Sequence, residues 1–538
     1  MHLDQIENIE DTIFDVIVIG SGPASAGLIN VLNTSGAKVL IIEAGDINPD
    51  TNTDQFFKFF ENNKEVNRGF SLSWQIGGTS NLWAGRCAML EPFDVSPENG
   101  WPFNFDEIKE DYRRAADFLK LPINSTKINS ELNSHSSNED SFNKIFNNPS
   151  ELEKKSFFWG NENFSAKKYF LSICKKNENI QLLKKTRALY FKGAPNKIES
   201  VVVNSNPNRL IELRAKYFVC GSGGVETPRL LLNTLKMNNN LDFGNEELIG
   251  SNFATHPKLN VGVLHLKNPV KLNNPLFTDL RLDDGFIGQG IGLLKNRQKS
   301  KVLLNHYLQL NPRFEKYGIE LLEHIKASKY LARASVTRKK KNIANKLRSI
   351  VDNTAISTGR VFFNILGRIG IFKSKTTLLT IRAFFDQFPS DSSKITLIDE
   401  LDPYGMQKAS VNWSFSKEDL EDISNFLAYF KKTIESKKVG FVEYYDEETL
   451  NPKKVIGIHS HFIGTLRMGL DPRTSVTDIY GKIHTKNNLY IIGSSVFPSY
   501  GFANPVFTIV ALSLRTGKHL LDQLNGSEKG ATDSDYRD

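Results

Sequence analysis

Six residues near the start of the chain have types and spacing that suit one kind of chemistry. Gly20-Ser21-Gly22-Pro23-Ala24-Ser25 sets two glycines one residue apart and a small residue three places after the second. This is the pattern of a cradle for the pyrophosphate of a dinucleotide. Gly20 permits a tight turn, Gly22 lets the backbone come close to phosphate, and a small Ser25 lets the following helix pack near the strand. The phosphates would face the free N–H groups and the positive dipole end of that helix. Glu43 stands 23 residues after Gly20, where a carboxylate can bind ribose hydroxyls and repel a 2′-phosphate, so NADP is disfavoured. This unit alone does not separate NAD from FAD.

The elements that must hold these residues are legible. Phe14–Gly20 is a short apolar run rich in β-branched residues, which reads as a strand buried on both faces. Residues 23–34 read as a helix with Pro23 in its first turn, and Lys38–Glu43 as a second strand. Strand, helix and parallel strand make a right-handed βαβ unit. Residues 45–70 have no clear pattern. Residues 105–120 and 416–438 read as helices, and 125–165, rich in Asn, Ser and Lys, as a surface excursion. Strands are expected at 180–184, 200–203, 217–220, 260–265, 376–385, 394–398 and 408–413, with a helix opening after Thr227-Pro228. The tail repeats the opening theme, with a strand at LYIIG, a glycine- and proline-rich turn, and a helix over 505–524.

The 538 residues allow two or more cores, and 40% hydrophobic with 24% charged residues excludes a disordered or collagen-like chain. Three scattered cysteines, Cys87, Cys174 and Cys220, form neither a metal-ligand spacing nor a disulfide framework and suit a reducing, cytoplasmic setting. No signal peptide, membrane span or metal site is expected. Charge is uneven. Residues 326–375 hold thirteen Lys or Arg against one acid, Asp352, a net +12 in a chain of net +8. Three readings of this basic amphipathic stretch stay open: a solvated face, an electropositive entrance for an anionic sugar, and peripheral contact with the inner face of a membrane. Nucleic acid is disfavoured, because no aromatic residues interleave with the charge as stacking platforms.

Further motifs run in order along the chain: Gly77-Gly78-Thr79-Ser80-Asn81-Leu82-Trp83; Gly223-Gly224-Val225-Glu226-Thr227-Pro228; His256-Pro257; His461-Phe462-Ile463-Gly464-Thr465-Leu466-Arg467-Met468-Gly469; and Ala503-Asn504-Pro505-Val506-Phe507-Thr508. Together with the opening cradle they resemble the glucose–methanol–choline (GMC) family of FAD-dependent oxidoreductases, nearest its pyranose oxidase and sugar dehydrogenase branch. The resemblance implies an α/β protein: a Rossmann-type FAD-binding domain assembled from 1–95, 180–265 and 455–538, and a substrate domain of antiparallel sheet and helices from 96–179 and 266–454. It implies His461 and Asn504 as catalytic residues. It also implies cofactor contacts from Gly20, Gly22, Pro23, Ala24, Ser25, Glu43, Gly78, Thr79, Asn81, Leu82, Ala188, Gly221, Gly493, Ser494, Asn504, Pro505 and Val506. Leu82 occupies the position that carries a covalent flavin link in some relatives, so FAD should be non-covalent. The implied substrate is a small alcohol or sugar, free, anionic or lipid-linked; a non-sugar alcohol or sterol, and a flavoprotein without net redox turnover, are the alternatives. The electron acceptor stays open.

The chemistry fits those residue types. Oxidising an alcohol removes a hydride from carbon, which the flavin accepts, and a proton from oxygen. A neutral imidazole can take that proton, and an Asn can orient the hydroxyl without competing for it. On spacing alone, His461 beside His459 and Phe462 reads as a packed strand end rather than a catalytic residue; the family blocks around it carry the catalytic assignment. His459 reads as structural, His256 as support for the flavin domain, Gly77-Gly78 as a loop lying along the flavin, and Glu226 as a residue that caps or pairs near a helix start.

Overall fold

The computed structural model describes residues 9–50, 55–61, 64–66, 72–123, 142–147, 150–206, 209–238, 240–271, 274, 276–277, 279–293, 302–312, 375–445 and 461–526. The basic stretch 326–374 and His459 lie outside these residues.

The opening unit forms as its sequence dictates. Strand Ile13–Ile19 pairs in parallel with Val39–Ile42 on one side and with Arg209–Cys220 on the other. Val16, Ile17 and Val18 have no solvent exposure, which explains a run without polar alternation. Ile180–Leu183 extends this sheet beyond Val39–Ile42, and Leu489–Ile491 joins it in parallel beside the end of Arg209–Cys220. The start of Arg209–Cys220 belongs to an antiparallel meander with Lys197–Asn206 and Arg187–Ala194.

Two helices cross-link the ends of the chain over this sheet. In the helix Pro23–Leu32, a Cβ on Gly27 would lie 3.3 Å from the Val510 carbonyl oxygen and from the Ser513 Cβ. In the last helix, Val506–Leu524, a Cβ on Gly517 would lie 3.1 Å from that of Val31. Each helix thus offers a glycine where the other comes close. Residue 27 meets 510–513 and residue 31 meets 517, so the two helices run in the same direction. Their N-termini open at the same end of the molecule.

A second, antiparallel sheet holds Leu280–Leu282, Gly285–Leu293, Tyr307–Pro312, Lys375–Phe384, Lys258–Lys271 and Gly440–Tyr444 in that order, with Leu152–Gly160 paired to Gly285–Leu293. Strand Lys258–Lys271 runs through residue 265, because it pairs with Lys375–Phe384 over most of its length. Helix Lys417–Ser436 buries Phe426, Phe430 and Ile434 in the same core as Leu264, Leu379 and Ile381. In Gly285–Leu293, Gly288, Gly290 and Gly292 fall on alternate positions. Cβ atoms there would press on Trp159, Tyr307 and Lys155 at 3.2, 2.8 and 2.3 Å, so the glycine stripe lets large side chains lie flat on the sheet.

One unassigned stretch gains strands, and two sequence expectations need correction. Residues 45–70 contain the strands Phe57–Glu61 and Lys64–Val66, which complete a four-stranded sheet: Phe57–Glu61 pairs antiparallel with Lys64–Val66 and in parallel with Gln407–Trp413. That pairing joins segments about 350 residues apart, so no local pattern announces it. The excursion at 125–165 includes the strand Leu152–Gly160, whose Phe157 and Phe158 are buried and whose Lys155, fully buried, meets Glu91 and Glu153 at 2.6 Å. The helix expected after Pro228 begins at Gly223, with Pro228 inside it.

Candidate functional site

One cleft of about 760 Å³ runs between the parallel-centred sheet and the antiparallel sheet. That volume suits a large small-molecule site. Gly20, Gly22, Pro23, Ala24, Glu43, Gly78, Thr79, Leu82, Ala188, Gly221, Gly493, Ser494, Asn504, Pro505, Val506 and His461 all line it. Two of the sequence-expected residues do not. Ser25 is buried with its Oγ against Gly221, where a Cβ would sit 2.5 Å away, so it lets helix and strand approach. Asn81 turns its Nδ2 back to the carbonyls of Ile76 and Gly78, both at 2.9 Å, and holds the loop in shape.

The cradle shows two kinds of glycine. Gly20 has φ +94°, and a Cβ there would meet the Gly221 carbonyl oxygen at 2.8 Å, so the protein itself demands glycine. Gly22 has φ −76°, and a Cβ there would meet only the Gly221 oxygen at 3.9 Å. Among the described residues nothing forbids a side chain at Gly22, which lines the cleft. At Gly493 the nearest atom to an added Cβ is 4.0 Å away. Gly22 caps the helix Pro23–Leu32, whose first N–H groups have no intrahelical partner. These features fit a pyrophosphate-bearing cofactor such as FAD.

Glu43 is buried, and burial pushes its carboxyl above the usual range. Its Oε2 accepts from the Ser21 N–H at 3.0 Å and the Ser21 hydroxyl at 2.7 Å, and its Oε1 from the Gly45 N–H at 2.9 Å. A carboxylate offers about four acceptor sites, so three are taken by its own loops. The Ser21 hydroxyl also accepts from the Gly77 N–H at 2.9 Å, tying the cradle to the Gly77-Gly78 loop. Sequence reasoning passed over Ser21; its place between the two glycines was the available signal. Glu226 pairs with Arg187 at 2.8 Å and with Arg229 at 3.4 Å, as expected of a residue pairing near a helix start. Burial works against its charge, but the two guanidiniums hold it below the usual carboxylate range.

His461 is placed by a clamp built from its own motif. Ala254 and Ile463 exchange two backbone hydrogen bonds at 3.1 Å in an antiparallel bridge. Counting outward from that bridge, His256 falls opposite His461. Pro228 lacks the N–H that would bond the Gly224 carbonyl one helical turn earlier, and the Thr465 hydroxyl donates to that carbonyl instead, at 2.9 Å. Gly464, at φ +88°, lies where a Cβ would meet the Asn252 carbonyl at 2.6 Å and the Tyr500 ring at 2.7 Å. The Ser494 hydroxyl donates to the Phe462 carbonyl at 2.7 Å.

The electrostatics of this end favour neutral imidazoles. His461 and His256 bring their Nδ1 atoms to 3.0 Å. Burial, then the charges of His256 and Lys258, push His461 well below the ordinary histidine range. Burial also lowers His256, to about 4. Lys258 lines the cleft, and burial beside Arg382 brings it down to about 8. Asn504 donates from Nδ2 to the Arg86 carbonyl at 2.9 Å. A carbonyl can only accept, so this bond fixes which way the amide faces. Arg86 in turn bonds Asp279 at 2.9 Å and lies 4.5 Å from the centre of the Trp159 ring. Among the described residues no group of three or more His, Cys, Asp or Glu is arranged to hold a metal ion, and no helix is long and apolar enough to cross a membrane.

Comparisons with known proteins place the chain among its relatives by sequence and by fold. Residues 389–513 match the family model described as GMC oxidoreductase. The family likeness read from the motifs therefore holds, and the C-terminal part of the chain carries the GMC signature. A 6'''-hydroxyparomomycin C oxidase of Streptomyces lividus is 27% identical over 154 residues, 27% of this chain and 26% of that protein. A 2-methyl-1,2-propanediol dehydrogenase of Mycolicibacterium austroafricanum is 31% identical over 144 residues, 26% of this chain and 25% of that protein. These matches span about a quarter of each relative's length. The crystal structure of pyridoxine 4-oxidase from Mesorbium loti superposes with a TM-score of 0.57 over 94% of this chain and 99% of that one, at 14% identity, which is a likeness of fold. The mixed α/β class expected from the sequence thus stands.

Proposed function

We propose that this chain is an FAD-dependent oxidoreductase that dehydrogenates a hydroxyl of a carbohydrate or polyol to a carbonyl, with FAD held non-covalently. The observation that carries the reading is that a single cleft is bordered by the glycine cradle, Glu43, His461 and Asn504, although the first and last of these lie at opposite ends of the chain. FAD, when bound, supplies the hydride acceptor. Gly20, Gly22 and the N-terminus of the helix Pro23–Leu32 would hold its pyrophosphate, and the N-terminus of the helix Val506–Leu524 opens at the same end. Leu82 has no nucleophilic atom with which to form a covalent link.

The chain's own residues then handle the proton. His461, neutral because it is buried, takes the hydroxyl proton. Asn504, its Nδ2 engaged by the Arg86 carbonyl, has its Oδ1 to orient that hydroxyl. The cradle segments and the antiparallel sheet would act as a discontinuous flavin domain and a substrate domain, divided near Pro257 where strand Lys258–Lys271 begins. A non-sugar alcohol is the second reading, favoured by the resemblance to a propanediol dehydrogenase.

The test is anaerobic reduction of the FAD-loaded protein by a panel of sugars, polyols and simple diols, read as bleaching of flavin absorbance. The wild type should bleach with at least one of them. His461→Ala should retain FAD and slow by on the order of 10²–10⁴. Unchanged bleaching removes His461 as the base, and a protein that refuses FAD removes the whole reading.

A further inference from the structure

One side of the antiparallel sheet forms a wall of the cleft. Lys258 lies opposite Phe384, and Phe384 opposite Tyr307. Arg382, two residues from Phe384 and so on the same face, lies opposite Gln309. All five line the cleft. His256 stands two residues before Lys258 and meets His461 at 3.0 Å, so this wall begins beside the proposed base.

The wall carries positive charge that the cleft does not neutralise. Three carboxylates line the cleft, and each is engaged away from Lys258. Glu43 is held by Ser21 and Gly45, Glu226 by Arg187, and Asp279 by Arg86. The Lys258 ammonium has no ion pair or hydrogen bond among the described residues, and the charge that acts on it is the like charge of Arg382. Arg382 itself donates from Nε to the amide oxygen of Asn260 at 3.0 Å, a neutral acceptor. Lys258 titrates at about 8, so it is charged at pH 7. A cation partly withdrawn from water without a counter-ion is costly, and an arriving anion offsets that cost. Two cations on one face of a cleft attract an anion and give a neutral group no such gain.

We propose that the substrate carries an acidic group, a carboxylate or a phosphate, near the hydroxyl that is oxidised, and that Lys258 and Arg382 bind this group. The assignment rests on the oxidoreductase reading and narrows its substrate to acidic sugars and hydroxy acids. It needs nothing from residues 326–375. No bond is made or broken at this subsite. The ammonium and the guanidinium supply charge-assisted hydrogen bonds that fix the substrate beside His461.

The test is equilibrium dialysis of the FAD-loaded protein, with air and electron acceptors excluded, against compounds matched in skeleton. Glucose is paired with glucuronate, sorbitol with gluconate, and glycerol with glycerate and glycerol phosphate. At least one acid should bind about tenfold or more tightly than its neutral match, and the identity of that acid separates carboxylate from phosphate. Lys258→Met should remove this gain while neutral compounds and FAD stay within about threefold, and Lys258→Arg should keep most of it. No acid above its neutral match overturns the proposal. So does an equal loss of acids, neutral compounds and FAD in Lys258→Met, which would place the ammonium against the cofactor. A second readout needs no ligand. Lys258→Met removes a charge without a counter-ion and should melt no lower than the wild type, whereas a clear drop in Tm marks a structural partner and overturns the proposal. If no alcohol bleaches the flavin while acids keep their preference, the oxidoreductase reading fails and the anion site stands. Bleaching without any preference for acids keeps that reading and removes the site.

Discussion

His256 and His461, separated by 205 residues, meet Nδ1 to Nδ1 because Ala254 and Ile463 form an antiparallel bridge two residues away on each strand. The pair is buried, so both rings stay neutral well into the acid range. The rate constant for flavin reduction should accordingly stay flat, within about twofold, from pH 7, below the titration of Lys258 at about 8, to about pH 5.5. An exposed histidine base would lose activity through its ordinary pKa near ~6.5. Rapid-mixing reduction across that window checks this, and a titration centred near neutrality would contradict it.

Stability should carry the same signature. Below about pH 6.5 the unfolded chain binds a proton at residue 256 that the folded chain refuses until about pH 4. The unfolded state holds more protons in this window, so His256 lowers stability as pH falls through it, by about 3 kcal/mol at full extent. His256→Asn removes this contribution. Urea melts at pH 7 and pH 4.5 should show the variant gaining on the wild type at the lower pH; a gap independent of pH would count against the buried neutral ring.

The two cradle glycines should separate folding from binding. Gly20→Ala forces a side chain into positive φ and against the Gly221 carbonyl, and should cost about 1–3 kcal/mol of stability. Gly22→Ala meets no close protein atom and should stay within about 1 kcal/mol of wild type, while weakening FAD binding at least tenfold. Thermal melts of the FAD-free protein and flavin titration read the two effects apart. A Gly22→Ala protein that binds FAD normally would show that no ligand approaches that backbone.

Ser21 joins Glu43 to the Gly77 loop through one hydroxyl. Ser21→Ala leaves the Gly77 N–H without its acceptor and takes one donor from a buried carboxylate. The expected loss is about 1–3 kcal/mol, together with weaker FAD binding. Unchanged stability would mean that water replaces the hydroxyl.

The basic stretch 326–375 gives a prediction from charge alone. Vesicles containing anionic lipid should sediment the full chain at low salt and release it as salt is raised, whereas neutral vesicles should not. Equal recovery in the supernatant with both vesicle types favours a solvated face or a substrate entrance.

The local parts of this protein were determined by its sequence. The cradle from Phe14 to Glu43 is one contiguous unit, and glycine, proline and β-branched residues impose their dihedral demands wherever the chain goes. The Asn504-Pro505 start of the last helix is legible for the same reason. What only the tertiary structure decided is which distant segments meet, and in what register. His256 becomes the partner of His461 through the bridge at Ala254 and Ile463, Thr465 satisfies the carbonyl that Pro228 leaves open, and Asn504 faces as it does because Arg86 presents a carbonyl. None of these pairings has a local period, because each depends on the packing of whole sheets and not on the preferences of neighbouring residues.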